Sequence, residues 1–186
     1  MHRIFLIILF VTSLFAREYI AIIDFDGINV SENDAKALTQ RLTSEMISLE
    51  LYQVLERSEM KRLLNEQKFQ YSGCVDTRCA VDIGKMLGAK YMVIGSISKL
   101  GKSYSLDARL ISVESSESYV SAKYTVDGKI EKLMKYGIPS IAHQLCELPV
   151  PKIPLITKLI EQLYENRFIV GGVSFAIWIA WGMNWI

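Results

Sequence analysis

Hydrophobic and polar residues change their spacing along the 186-residue chain, and each of three regimes predicts a different environment. Between residues 4 and 15 apolar side chains run on with only Thr12 and Ser13 interrupting. From Arg17 to Leu148 they recur at intervals of two, or of three and four, as half-buried strands and amphipathic helices require. From Phe168 to Ile186 there is no charged residue.

The middle regime predicts one α/β domain. Residues 19–25 read as a short, nearly continuous apolar strand for the middle of a sheet, stopped by Asp26-Gly27. Ser31 with Asp34 resembles a capping box with Asp in place of Glu, and Ala35, Leu38, Leu42, Met46 and Leu49 then fall on one helical face. Residues 52–55 predict a second strand, and Ser58 a cap for a helix through Met60, Leu63 and Leu64. A third helix is expected from about Ala80 to Leu87, ended by Gly88. Three strand-like runs, 91–97, 104–113 and 119–126, are joined by the turn signals Leu100-Gly101-Lys102 and Glu114-Ser115-Ser116 and predict a meander. A last helix follows around residues 130–145. The expected fold class is α/β in the α+β sense: a mixed sheet of about five strands ending in an antiparallel meander, helices packed on it, and a C-terminal hydrophobic helix.

The two flanking regimes predict the compartment. His2 and Arg3, the apolar run after them and Ala16 before the charged Arg17-Glu18 have the layout of a secretory signal peptide over residues 1–16. A buried first strand or an uncleaved anchor are the alternatives. No cysteine follows the run, so a lipid anchor of the usual bacterial kind has no attachment point. The last 19 residues, opened by Phe168 and closed by Ile186, would cover roughly 28 Å as a helix, close to the hydrocarbon thickness of a bilayer. Trp178, Trp181 and Trp185 gather where indoles suit an interface, and Gly172, Ala176 and Ala180 make a stripe of small residues on which another helix can close. A packed terminal helix or a membrane-surface element is the alternative. Lys152, Lys158 and Arg167 lie on the domain side of this segment, opposite to the positive-inside bias, a conflict that prior export by the signal peptide would override. Pro149, Pro151 and Pro154 make a stiff connector, with a short amphipathic stretch at 155–164. The expected organisation is thus a signal peptide at 1–16, a domain at 17–148, a linker at 149–167 and a membrane helix at 168–186.

Composition changes this picture little. Mean hydropathy is +0.22, but the apolar excess sits at the two ends. With 21 Lys and Arg against 20 Asp and Glu the net charge is +1, which offers no basic excess to hold a nucleic acid, and none is predicted as a partner.

Candidate chemistry is sparse. Cys74 and Cys79 sit in a polar loop between two helices, and in an exported chain they can close a local disulfide worth about 2 kcal/mol. The alternative joins them to His143 and Cys146 as a zinc site of unusual spacing. Cys146 is otherwise a buried residue of the last helix, or a link between two chains. Asp24-Phe25-Asp26-Gly27 after an apolar strand matches the first motif of haloacid-dehalogenase-type phosphatases, with Asp24 as nucleophile and Asp26 as acid/base around magnesium, but no acidic pair follows downstream. The plain reading has both carboxylates ending a strand. Ser140 beside His143 is expected on the surface of their helix, and no Gly-rich phosphate loop occurs. No catalytic residue, cofactor, metal or small-molecule substrate is predicted.

Six stretches together resemble a known family. They are Ile20-Ala21-Ile22-Ile23-Asp24-Phe25, Ala37-Leu38-Thr39 with Arg41-Leu42, Val54-Leu55-Glu56-Arg57, Ser72-Gly73-Cys74 with Cys79-Ala80, residues 88–97 from Gly-Ala-Lys-Tyr onward, and residues 108–114 around Ala-Arg-Leu-Ile. In this order they resemble the periplasmic domain of the curli production and transport (CsgG-type) family over roughly residues 19–146. Related folds occur in the amino-terminal domain of TolB-like proteins and in lipoprotein activators of penicillin-binding proteins. The resemblance implies a mixed α/β domain that binds and assembles without catalysis. The chain departs from secretion channels of that family, whose subunits donate long hairpins to a barrel, because the links between its predicted strands are only a few residues. The expected function is that of an envelope assembly, transport or accessory component, exported to the periplasm, held at a membrane through residues 168–186, and partnered by other envelope proteins or by itself. A regulator of a cell-wall enzyme is the alternative.

Overall fold

The computed structural model of the chain describes residues 17–66, 76–157 and 159. Contacts divide the chain into two units, Met1–Val150 and Pro151–Ile186. In the second unit a helical turn begins at Leu155.

The first unit is built on one mixed sheet. Strand β1 (Tyr19–Ile22) runs parallel to β3 (Gln53–Val54) on one side and to β4 (Tyr91–Leu100) on the other. Strands β5 (Ser103–Ser112) and β6 (Ser118–Asp127) continue the sheet antiparallel, giving the order β3-β1-β4-β5-β6. A sixth strand, β2 (Asp26–Ile28), lies further along β4. The expected single strand over 19–25 is therefore two short ones, and the sheet has six strands.

The alternation of side chains along β1 and β4 explains why both faces are covered. Ile20, Ile22, Val93, Ile97, Leu106 and Leu110 point to one face, where they meet α1 (Glu32–Leu49) and α4 (Ile138–Leu145). Ala21, Ile23, Met92, Ile94 and Ile111 point to the other, beneath α2 (Arg57–Glu66) and α3 (Thr77–Leu87). Such two-faced burial is what near-continuous apolar strands encode. On the second face the fit is close: a Cβ on Gly84 of α3 would come within 2.4 Å of Val113 and 2.9 Å of Met92.

The local signals act largely as expected. Ser31 Oγ accepts from Asp34 N at 3.1 Å and caps α1, whose buried stripe is Ala35, Leu38, Thr39, Leu42 and Met46. Gly88 ends α3 at φ +65°, a conformation that needs no Cβ. Three expectations differ. Ser58 lies inside α2, which starts at Arg57; α3 starts three residues before Ala80, capped by Asp76, which accepts from Cys79 N at 2.8 Å. The last helix is interrupted by a π turn, Leu133–Gly137, before Pro139 in the first turn of α4, where a residue without N–H is tolerated.

Candidate functional site

The break between β1 and β2 creates the most distinctive local geometry. Against β4, Ile22 is level with Val93 and Asp26 with Ser96, so Ile23, Asp24 and Phe25 stand opposite only Ile94 and Gly95. The extra residue is a bulge, and it turns Phe25 into the α1 face. Phe25 N–H donates instead to Thr39 Oγ1 at 3.0 Å, and that hydroxyl donates to Ala35 O at 2.8 Å. Thr39 is 2% exposed, a polar group placed in an apolar stripe to satisfy one amide. The Phe25 ring lies over Gly95, where a Cβ would meet it at 2.9 Å.

Beyond the bulge the chain leaves β1 toward α1 on one face and leaves β3 toward α2 on the other. Adjacent parallel strands whose connections diverge in this way open a crevice at their carboxyl ends. Asp24 and Arg57 face each other across it, Arg57 Nη2 donating to Asp24 Oδ2, both half-buried. An open groove of about 570 Å³ extends from the pair past Thr39, Thr43, Glu56 and Met60. The two threonine hydroxyls are spent within the fold, Thr39 on Phe25 and Ala35 and Thr43 on Thr39 O, so the groove offers the Asp24–Arg57 pair beside an apolar wall. The phosphatase reading does not fit the pair: Asp24 is engaged by Arg57, Asp26 is exposed at the head of β2, and among the described residues no three His, Cys, Asp or Glu side chains group to hold a metal ion.

At the opposite end of the sheet tyrosines cross its width. Tyr52 and Tyr91 meet edge to face at 5.6 Å, and Tyr91 and Tyr119 at 5.9 Å, above Ser112 on the intervening strand. Burial pushes the Tyr52 hydroxyl up to about 12, with the neighbouring Cys146 adding to the shift, and burial raises Tyr91 as well. Ion pairs Arg17–Glu50 and Lys90–Glu18 flank this end.

The cysteines are separated by the sheet. Cys79 on α3 packs against the second core, whereas Cys146, after α4, is buried in the first, its Sγ 3.7 Å from Met46 Sδ. The two lie on opposite faces, so a zinc site joining them with His143 does not form. Burial raises the Cys146 thiol to about 11, which keeps it neutral. Ser140, expected at the surface, is 5% exposed and accepts from Gln144 Nε2 at 3.0 Å; His143 Nδ1 lies 2.8 Å from Pro139 O, so the two do not form a nucleophile–base pair. Cys74 lies outside the described residues, as do residues 1–16 and Phe168, Gly172, Ala176, Ala180, Trp181 and Ile186 of the expected membrane segment. Among the described residues no helix is long and apolar enough to cross a membrane.

Sequence reasoning missed the roles of Arg57, Thr39 and Gln144. Thr39 left a signal, as the one polar residue on the buried stripe of α1; Arg57 stood in the Glu56-Arg57 strand ending that carries the resemblance; Gln144 left none.

Comparison with known proteins places this geometry. The model of the family "Curli production assembly/transport component CsgG" matches residues 20–131. The C-terminal domain of LpoB from Salmonella enterica superposes with a TM-score of 0.52 at 16% identity, over 60% of this chain and 84% of that one. A lipoprotein from Neisseria meningitidis gives 0.51 at 9% identity, over 82% and 96%. TolB from Acinetobacter baumannii gives 0.52 at 11%, over 71% of this chain and 28% of that one. At these identities the likeness is one of fold. No curated protein matches the chain in sequence. Because the family match spans more than half of the chain and takes in the bulge, the crevice and the meander, the chain belongs to the CsgG family.

Proposed function

We propose that the chain is an exported, non-catalytic component of the cell envelope that works by protein–protein association at a membrane, as an assembly, transport or accessory part. The observation that carries this reading is the CsgG family match over residues 20–131. The crevice supports it as an open, largely apolar recess, lined by residues such as Ile47, Leu55 and Met60, in which the Asp24 carboxylate is already held by Arg57. In this reading residues 1–16 direct export and are removed. Residues 168–186 hold the domain at the membrane, and Cys74 bonds Cys79 in the loop before α3. The strand links of the described meander are short, which disfavours a pore-forming subunit. Regulation of a cell-wall enzyme is the second reading, favoured by the resemblance to lipoprotein activators of penicillin-binding proteins.

The test is intact-mass measurement of the chain recovered from the membrane fraction, before and after reduction. The reading expects a chain that starts at Arg17 and gains two hydrogens on reduction. A full-length, already reduced chain in the soluble fraction would overturn it.

A further inference from the structure

The sheet has two edges of unequal length. β3 closes one with two residues, whereas β6 leaves ten, Ser118–Asp127, along the other. Among the described residues β6 pairs only with β5. A long edge of main-chain donors and acceptors is a template for another strand.

One residue on that edge is covered in an unusual way. Lys123 N–H donates to Gln144 Oε1 at 3.2 Å, and Gln144 Nε2 donates to Lys123 O at 3.2 Å. The side-chain amide of α4 thereby fills the place of a neighbouring strand's peptide group. Its Nε2 also donates to Ser140 Oγ, on a buried residue of the same helix, which fixes its orientation. Since main-chain groups of alternate residues in an antiparallel strand point the same way, Ser121, Thr125 and Asp127 face outward as Lys123 does.

We propose that the outer edge of β6 is a strand-addition site for a second copy of this chain, and that Gln144 is the latch that keeps it shut. The inference rests on the reading of the domain as one that works by association. Charge picks the occupant and its alignment. A two-fold antiparallel pairing centred on Thr125 sets Thr125 opposite its counterpart and Lys123 opposite the other copy's Asp127, twice over. Opposite charges facing across strands stabilise such a pair, whereas centring on Lys123 would set like charges together. Asp127 is held in place at the edge by a hydrogen bond from Ser103 Oγ. The pairing needs the main-chain groups of Lys123, which Gln144 occupies; a partner must displace the amide.

The test uses the full chain, purified in detergent, with Thr125→Cys to trap the pairing as a disulfide-linked dimer on non-reducing gels. Removing the latch with Gln144→Ala frees the two groups of Lys123 and should raise the trapped fraction roughly tenfold. Gln144→Glu, which keeps the side-chain length and still accepts from Lys123 N–H but cannot donate to Lys123 O, frees one of the two groups, should give a smaller rise, and serves where the Ala variant folds poorly. Adding Asp127→Lys should abolish the gain, and adding Lys123→Glu to that should restore it. Unchanged trapping in both latch variants overturns the proposal. So does a gain that ignores the charge exchange, which would indicate another partner edge or chance collision. The readout is independent of export, so its failure leaves the fractionation result standing, and the reverse holds too.

Discussion

Both faces of the sheet bury apolar side chains, more of them beneath α1 and α4 than beneath α2 and α3, and they do so by different means. Beneath α2 and α3 the contact is made by aliphatic groups and by the absence of a side chain at Gly84. Beneath α1 and α4 the same aliphatic packing is threaded by polar groups with separate roles. Thr39 holds the bulge, Ser140 orients Gln144, Gln144 covers the β6 edge, and Cys146 fills a place beside Met46. The face beneath α2 and α3 is a support. The face beneath α1 and α4 fixes the bulge from which the crevice is made and covers Lys123 on the β6 edge, because a polar group that is satisfied specifies a conformation as well as stabilising it.

That contrast can be broken in four ways. Leu42→Ala on one face and Ile83→Ala on the other should each lower stability by about 2–5 kcal/mol in denaturant unfolding, since both side chains are fully buried and each leaves a cavity. A loss near zero on either side would show that face to be loosely packed. Thr39→Val should cost about 1–3 kcal/mol, because it strands the Phe25 amide, while Thr39→Ser keeps the hydroxyl and most of the stability. Equal losses from the two would remove the role assigned to the hydroxyl.

Alkaline titration separates the faces further. Folding raises the Cys146 thiol from 9.0 to about 11, so its contribution is complete below about pH 9 and is lost as pH rises through about 11. The decline should reach about 2 kcal/mol. Tyr52, raised from 10.0 to about 12, acts with the same sign at higher pH. Cys146→Ala should flatten the lower part of the curve, and a curve unchanged by it would refute the assignment. The smallest effect belongs to the crevice: the half-exposed Asp24–Arg57 pair should show a coupling of about 1 kcal/mol in a double-mutant cycle of Asp24→Asn with Arg57→Gln.

How much of this was legible in the sequence follows the same division. Periodicity marks the strands, the α1 stripe and the meander, since each depends on many residues repeating at a fixed interval. The split at Asp24 was not legible, because a bulge costs one residue and leaves the apolar run intact. Nor was the π turn, whose apolar spacing is close to that of a helix. The crevice depends on Asp24 and Arg57, thirty-three positions apart and joined only by topology. Ser140 near His143 reads as superficial when the helix around it is placed by its apolar residues alone; in the fold it is buried, and its hydroxyl accepts from Nε2 of the half-buried Gln144 on the same helix.

The measurement that tests the central claim most directly is protease accessibility of the domain in spheroplasts. An exported domain held by residues 168–186 should be digested by protease added from outside, while a C-terminal fragment stays with the membranes. A domain protected until the cells are lysed, with residues 1–16 still attached, would contradict export and with it the envelope role.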